Sequence, residues 1–339
     1  QVSRPHEAGN LRRIVPLGNA GKANLSFDFQ RRRRYNLRAF SKPKNPAMTA
    51  PSKAIDKLRR SIDVIDDEMH DLLMRRVKIV EKIGALKDSA PGALFIRPER
   101  EAKILRRLVS RHKGRFPAAV VARIWREILA STTRLQGPFS VAVNAPEKSV
   151  GYWDIARDHY GSATRMSLHR LANPVLNAVL NGSVTVGVLP MPAEDDADPW
   201  WPKLIGAGEN LPRVIARVPF IENGNGRFED LSALAIARTQ PGETGDDVTL
   251  FAVEATVGFS RGGIQEAFIT AGLPANTIAV WSESRKATSH LHLIEIAAYI
   301  QPDDDRIATV ADAHGEHIIR ITNLGGYAVP IGRDFSGEA

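Results

Sequence analysis

The 339-residue sequence contains no cysteine, and this absence excludes several kinds of chemistry. Without thiols the chain can form no disulfide scaffold, no thiolate nucleophile and no cysteine-ligated zinc site. Long apolar runs are missing as well, because no stretch approaches the ~18–20 residues that a membrane-spanning helix needs. The rest of the composition, 43% hydrophobic and 25% charged, is ordinary for a globular protein. These features predict a cytoplasmic protein with no membrane partner.

Acidic residues are scarce in one segment only. Residues 1–47 contain eleven Lys or Arg and two acidic residues, which leaves 35 basic and 36 acidic residues in the rest of the chain. The net charge of +8 therefore belongs to this segment. The segment lacks a periodic apolar pattern, so we expect a disordered basic leader, favoured to lie upstream of a true start at Met48. Nucleic-acid binding by Arg31–Arg34 and a transit peptide are weaker alternatives, and no nucleic-acid partner is predicted.

The segment after Met48 has the periodicity of helices. Apolar residues three and four apart predict one long helix over residues 52–87. Such a helix would be ~54 Å long, more than a small domain can cover, so we expect a partner chain to bury its apolar stripe. An ordinary coiled-coil arm is the simpler alternative. Shorter helices are predicted over 98–113 and 117–136, each opened by a proline and followed by a glycine.

After Pro138 the pattern changes to short apolar strands alternating with helices. Residues 138–245 are predicted to form an α/β region. Residues 246–339 follow in the order strand, helix, strand, strand, helix, strand. Trp200-Trp201 is interpreted as loop packing rather than as a ligand platform. His290 and His292 share one strand face without an evident third ligand, so no metal site is predicted.

Three cations of the long helix point to an anionic ligand. Arg76 interrupts the apolar seam, where an inward guanidinium needs a carboxylate partner. Lys87 lies eleven residues later on the same face, ~16 Å along the axis, so the two side chains could hold a small dianion between them. Arg59 lies ~25 Å from Arg76 along the axis and could join them only from an antiparallel partner chain.

These residues resemble the AroQ chorismate mutase pattern. The similar positions span about 85 residues and include Arg76, Gly84 and Lys87 at their mutual spacing. The remaining similar stretches are Leu58-Arg59-Arg60-Ser61-Ile62-Asp63-Val64-Ile65-Asp66, Arg97-Pro98-Glu99-Arg100-Glu101, and Ile124-Trp125-Arg126-Glu127-Ile128-Leu129 through Thr132 to Gln136. The resemblance implies an all-α three-helix domain over residues 48–137. It also implies an intertwined homodimer with two shared active sites, and no cofactor or metal.

The resemblance further implies how the substrate is held. Arg76, together with Arg59 from the other chain, would bind the two carboxylates of chorismate, and Arg100 would assist. Thr132 stands where the family has Ser or Thr near a carboxylate. Arg97, three residues before Arg100, is interpreted as an exposed residue at the start of a helix.

Roles at the reacting bond follow from the same resemblance. Lys87 and Gln136 would donate hydrogen bonds to the ether oxygen, where negative charge develops as the C–O bond breaks. Glu101 would accept a hydrogen bond from the ring hydroxyl. The rearrangement of chorismate to prephenate needs neither nucleophile nor metal, so catalysis must come from holding the compact conformer and stabilising a polarised transition state.

Residues 139–339 resemble a prephenate dehydratase followed by an ACT regulatory domain, with departures. The Thr-Arg-Phe motif of dehydratases corresponds here to Ser232-Ala233-Leu234, and the span after Pro190 is short for a second lobe. We therefore expect a degenerate region without dehydratase activity. In the ACT-like unit the candidate residues for binding an aromatic amino-acid effector are Gly263, Glu283, Ser284 and Arg285. A unit kept only for assembly is the favoured alternative.

The leading hypothesis is a chorismate mutase of phenylalanine and tyrosine biosynthesis. An isochorismate pyruvate lyase would use the same cationic pocket on a related substrate, so product identity separates the two. A non-catalytic dimeric regulator that senses an aromatic amino acid is the alternative from another class. The retained Arg76 argues against it, because an inactive mutase fold has no use for an arginine in its apolar seam.

Overall fold

The structure is a computed structural model that describes residues 50–87, 95–146, 151–194, 196–206, 211–221, 231–284 and 287–332. The predicted leader, the loop at 88–94 and Arg285 lie outside these residues. By its contacts the chain divides into two units, one ending at Ile65 and one beginning at Asp66, which are described separately. No helix in the described ranges is long and apolar enough to cross a membrane.

The three helices expected from the apolar periodicity are confirmed. They are α1 Ala50–Lys87, α2 Pro98–Arg111 and α3 Ala118–Gln136. Pro98 occupies the first turn of α2, where its missing N–H would have no helical partner in any case. α2 and α3 pack through apolar residues at helical spacing, and this core also takes in Phe220 and Ile331 from the α/β part. Its helical members are Ala102, Leu105, Val109, Ala118, Ala122 and Leu129.

The apolar stripe of α1 is exposed in the single chain. In the unit that begins at Asp66, Met69, Leu72 and Ile79 are 60, 55 and 59% exposed. In the first unit, Leu58 and Ile62 are 65 and 56% exposed. Large apolar side chains in a row on one helix are uncommon on a monomer surface and indicate an interaction face.

The rest of the second unit is built on one mixed sheet of nine strands, in the order β2-β1-β3-β5-β4-β9-β6-β8-β7. β1 runs parallel to β2 and β3, and β4 runs parallel to β9, while the other neighbours are antiparallel. The strands are β1 Ser140–Asn144, β2 Arg165–His169, β3 Val186–Pro190, β4 Arg213–Val218, β5 Ala233–Ala237, β6 Asp247–Thr256, β7 Ala275–Trp281, β8 Ser289–Ile296 and β9 Ile318–Ala328.

Strand β2 is the element that the sequence pattern did not predict. It forms one edge of the sheet, and none of its five residues is fully buried. Its two apolar residues alternate with polar ones, but only Met166 packs against a core cluster while Leu168 is 50% exposed, so its register with β1 rests largely on backbone pairing.

Four helices accompany the strands: α4 Gly151–Tyr160, α5 Ala172–Leu180, α6 Arg261–Thr270 and α7 Asp305–Ala313. The last part of the chain therefore runs β6-α6-β7-β8-α7-β9. The sheet continues across residue 245, because β4 pairs with β9 at Val214 and Gly325. Gly325 has φ +97°, and a side chain there would collide with the Val214 carbonyl, so only glycine allows this junction.

Trp200 and Trp201 fill the core on one side of this sheet. They are 3 and 1% exposed, and the Trp200 indole N–H donates to the Pro190 carbonyl at 2.9 Å. Their apolar cluster includes Leu189 on β3 and Leu250 on β6, so it joins strands from both sides of residue 245. The prediction that this pair packs within the protein is confirmed.

His292 on β8 is a buried polar residue whose protonation should affect stability. Its side chain is 3% exposed, and neither ring nitrogen has a hydrogen-bond partner among the described residues. Burial, with His290 and Arg261 nearby, lowers its pKa to about 4. The unfolded chain titrates near pH ~6.5. Between these two values the unfolded state binds more protons, so stability falls as pH decreases through this window.

We expect His292→Leu to raise the free energy of unfolding by about 1–2 kcal/mol at pH 5, because it removes a buried ring without partners. It should also flatten the pH dependence between about pH 4 and 6.5. Urea unfolding at pH 5 and pH 7 measures both effects. The control is His70→Gln, since the His70 side chain is 68% exposed. Equal changes in both variants would contradict the assignment.

Candidate active site

The side chains of Arg76 on α1 and Thr132 on α3 are joined by a hydrogen bond. The Arg76 Nη1 donates to the Thr132 hydroxyl at 3.2 Å. That hydroxyl in turn donates to the main-chain carbonyl of Ile128 at 2.8 Å, one turn earlier in α3. The threonine is buried and its hydroxyl proton is committed to its own helix, so its lone pair orients the guanidinium. The structure therefore brings together two residues that the sequence placed at the site.

The charge of Arg76 is not balanced by any carboxylate in the part of the chain that the structure describes. Among the described residues neither Arg76 nor Arg100 forms an ion pair within 4.0 Å. Partial burial lowers the pKa of Arg76, and the nearby positive charge of Arg100 lowers it further. Two neighbouring cations that share no acidic partner among the described residues repel each other, and an anion bound between them would relieve that repulsion. The arrangement fits a ligand that carries carboxylates.

Gln136 lies against α1 at Gly84. Gly84 of α1 is buried, and a side-chain carbon at that position would lie only 3.3 Å from Cγ of Gln136. The absence of a side chain on Gly84 thus lets the two helices close over this end of the site. The Gln136 Nε2 donates to the Thr132 carbonyl at 3.2 Å, so Arg76, Thr132 and Gln136 form one contiguous group.

Lys87 and Arg59 remain predictions. Lys87 is the last residue of α1, three residues after Gly84, and its side chain lies outside what the structure describes. Arg59 belongs to the first unit, where it forms an exposed ion pair with Asp56 at 3.3 Å.

Glu101 takes part in a second, buried cluster. Its Oε2 accepts a hydrogen bond from Arg126 Nη1 at 2.8 Å, and the two side chains are 15 and 5% exposed. The Arg126 guanidinium lies over the ring of Phe220, 5.2 Å from its centre. Burial raises the pKa of Glu101, whereas the charge of Arg126 opposes that rise. Glu101, which is predicted to accept a hydrogen bond from the substrate, is thus also held by an ion pair that packs against Phe220.

Sequence reasoning gave Arg126 no role, although a signal was present. Arg126 lies in line with Ala122 and Leu129 on the buried face of α3. An arginine in an apolar seam is the same feature that singled out Arg76. Its partner could not be identified in advance, because Phe220 is brought to α3 only by the path of β4.

Arg106 is a second cation that the sequence did not assign. Its guanidinium donates to the Thr244 hydroxyl at 2.8 Å and to the main-chain carbonyls of Asp246 and Val329 at 2.7 and 2.8 Å. It also lies 5.7 Å from the centre of the Phe220 ring. Because these partners flank β6 and β9, Arg106 ties α2 directly to the α/β part.

The candidate effector residues occupy two places in the fold. Gly263 lies in the first turn of α6, where its N–H donates to the capping hydroxyl of Ser260 at 3.1 Å. Glu283 and Ser284 are exposed residues that follow β7, and Arg285 lies outside the described residues. An effector role for these residues remains a prediction.

The helical segment matches a known family. The model of chorismate mutase type II matches residues 58–137. A bifunctional chorismate mutase/prephenate dehydratase of Stutzerimonas stutzeri is 31% identical over 138 residues, 40% of this chain and 38% of the relative. The protein of the same name from Neisseria gonorrhoeae is 35% identical over 130 residues, 37% of this chain and 34% of the relative. The chain thus spans between a third and two fifths of the length of the relatives it matches.

One solved structure that resembles part of this chain is a prephenate dehydratase from Streptococcus mutans. It covers 57% of this chain and 99% of its own, with 14% identity and a TM-score of 0.40, which is too low to carry a functional argument. The family match, by contrast, contains Arg76, Lys87, Arg100, Glu101 and Thr132, and ends just after Gln136. Residues 58–137 of this chain therefore belong to the chorismate mutase type II family.

Proposed function

We propose that this chain catalyses the rearrangement of chorismate to prephenate. The observation that carries the proposal is the pair of neighbouring cations, Arg76 and Arg100, that have no carboxylate partner among the described residues. Chorismate carries two carboxylates, and arginine binds such groups with paired hydrogen bonds. The relatives named above carry this activity in their names, which supports the same reading.

In this mechanism the protein supplies position and charge rather than a reacting group. Arg76, oriented by Thr132, would hold one carboxylate together with Arg100, and this grip favours the compact conformer that can react. The Gln136 amide, beside Thr132, would donate to the ether oxygen together with Lys87 as the C–O bond breaks. Gln136 is neutral at all ordinary pH values, so this contact should not titrate.

Glu101 would accept the hydrogen bond of the ring hydroxyl. Arg126 engages Oε2 of this carboxylate, so Oε1 is the atom assigned to the substrate. The ionised carboxylate accepts such a bond more strongly than the neutral acid does, which makes the charge state of Glu101 part of the mechanism.

We also propose that the active enzyme is a homodimer with shared sites. The exposed stripe of α1, with Met69, Leu72 and Ile79 each more than half exposed, supports this assembly. Its burial against a second copy would remove apolar surface from water at about 25 cal/mol per Å². An antiparallel second copy would carry its own Arg59 toward Arg76, which completes the binding of two carboxylates. A cytoplasmic location remains a prediction from the composition.

Dehydratase activity is not proposed. Ala233 and Leu234, which stand where dehydratases carry the last residues of their Thr-Arg-Phe motif, are 0% exposed inside β5. Side chains in the middle of a covered sheet cannot contact a substrate. We propose that residues 138–245 are a degenerate remnant of that fold and that residues 246–339 form an ACT-like unit. The strand and helix order β6-α6-β7-β8-α7-β9 supports the second assignment.

The full chain incubated with chorismate, and separately with isochorismate, tests the proposal, with every product identified before and after mild acid. We expect prephenate, which becomes phenylpyruvate only after the acid treatment. Phenylpyruvate without acid would mean that the α/β part is an active dehydratase. Pyruvate released from isochorismate, with chorismate left unchanged, would favour the lyase. Untouched chorismate and isochorismate would refute an enzymatic role and favour the regulator.

A further inference from the structure

The cluster of Glu101 and Arg126 lies between the helical segment and the sheet. Arg126 on α3 contacts Glu101 on α2 and covers the ring of Phe220, which is 4% exposed just after β4. His159 and Tyr160, at the end of α4, complete the lining of the same small cavity. Two helices that match the mutase family therefore meet the α/β part through a buried ion pair.

Arg217 of β4 also lines this cavity and bonds to Tyr327. Besides burial, the pKa of Glu101 responds to two charges, Arg126, which lowers it, and Glu99, which raises it.

The other polar groups of the cavity are uncharged. Burial and the charge of Arg126 hold the pKa of His159 well below its usual range, so this ring is neutral at ordinary pH. The Tyr160 hydroxyl is buried and has no hydrogen-bond partner among the described residues. Burial raises the pKa of Tyr160, and the charge of Glu101 adds to that rise, so the phenol also stays neutral.

A buried carboxylate remains ionised only if a nearby positive charge compensates its lost hydration. For Glu101 that charge is Arg126, at 2.8 Å. Removal of Arg126 would leave a buried acid without its ion-pair partner and with Glu99 still raising its pKa, and such an acid takes up a proton more readily. The ionised state, which binds the ring hydroxyl most strongly, therefore depends on a residue that the substrate does not touch.

Arg126 is in turn held by the α/β part. Its guanidinium is 95% buried and faces the Phe220 ring, while Arg106 fixes the same wall through three hydrogen bonds to residues 244, 246 and 329. Arg123 and Glu127, on the neighbouring face of α3, bond to Asp158 and to the N–H of Ser162. The sheet and α4 thus form the surface on which the ion pair of Glu101 and Arg126 packs, here called its seat.

We propose that Arg126 is a positioning residue of the mutase site, which holds Glu101 as a carboxylate directed at the ring hydroxyl and is itself seated by Phe220 of the α/β part. This inference rests on the proposed function. It gives the α/β part a direct role in the mutase reaction, because this part holds the arginine that keeps Glu101 ionised.

The pH profile of kcat/KM for chorismate, measured on the full chain, tests the inference. Arg126→Met keeps the length of the side chain and its packing on Phe220 but removes the charge. We expect kcat/KM at pH 6.5 to fall about 10- to 100-fold, the value of one hydrogen bond to a charged group, and to recover as pH rises and Glu101 ionises. Arg126→Lys should restore most of the activity and abolish this dependence.

Two further variants separate positioning from a purely structural role. Glu101→Gln should lose as much activity as Arg126→Met but without dependence on pH, and the double variant should be no worse than Glu101→Gln. Arg107→Met removes an arginine charge from an exposed position of α2 and is the matched control, which should keep the wild-type profile. If Arg126→Met does not fold, Phe220→Leu is the deciding variant. It loosens the packing of Arg126, so kcat/KM should fall less than in Arg126→Met and should again recover as pH rises.

The outcomes distinguish this inference from the proposed function. An active wild-type chain, with folded Arg126→Met and Phe220→Leu variants that both keep the wild-type pH profile, would overturn the positioning role alone. Full activity of Glu101→Gln would overturn it as well. A wild-type chain that leaves chorismate untouched would overturn both the proposed function and the role of Arg126.

Discussion

Replacement of Arg76 by alanine should lower kcat/KM for chorismate by about a thousandfold, the upper range for loss of one charged donor in a preorganised site. The guanidinium is half-buried, is oriented by Thr132 and has no carboxylate partner among the described residues, so its charge is available to the substrate. Because it grips the substrate in both ground and transition states, we expect KM to rise as well as kcat to fall. Steady-state kinetics with independent measurement of both parameters checks this.

The matched control is Arg75→Ala, on the neighbouring residue of α1, which is exposed. It removes the same charge from the same helix, and we expect kcat/KM to stay within about twofold of wild type, since exposed charges contribute little. Arg76→Lys should remain about tenfold or more below wild type, because a point charge cannot replace the two-pronged contact of a guanidinium. Equal losses in Arg75→Ala and Arg76→Ala would contradict a specific role for Arg76.

Two inactive variants should restore activity when they share a dimer. Arg59→Ala and Arg76→Ala are each expected to be inactive as homodimers, since every site then lacks one carboxylate ligand. In a mixed dimer one site receives the intact Arg76 of one chain and the intact Arg59 of the other. Co-expression with two different affinity tags isolates the mixed dimer, and its kcat should be about half the wild-type value, since one of two sites is intact.

The control combines Arg76→Ala with Lys87→Ala. The proposed site takes both residues from the same chain, so each site of this mixed dimer lacks one of them and no activity should return. Restoration in this control, or none in the first pair, would show that the sites are not divided between chains as proposed. Retention of full activity by a monomeric chain would refute the shared site altogether.

The sequence alone determined the helical part and the residues proposed for its site. Local periodicity located α1, α2 and α3 to within a few residues, because an amphipathic helix repeats its pattern over several turns. The position of Arg76 in an apolar seam identified it as an inward-facing cation from the sequence pattern alone. The same local signals recovered the order of strands and helices from β6 to β9.

Tertiary structure alone decided how these elements are joined. The nine-stranded sheet that runs across residue 245, the edge strand β2 and the seat of Arg126 on Phe220 all depend on residues far apart in sequence. Glu101 shows the limit most clearly: its resemblance to a substrate ligand is local, but its bond to Arg126 exists only because β4 and α4 enclose that side chain. Periodicity reports which face of a helix is buried, whereas the partner that covers it is set by the path of the whole chain.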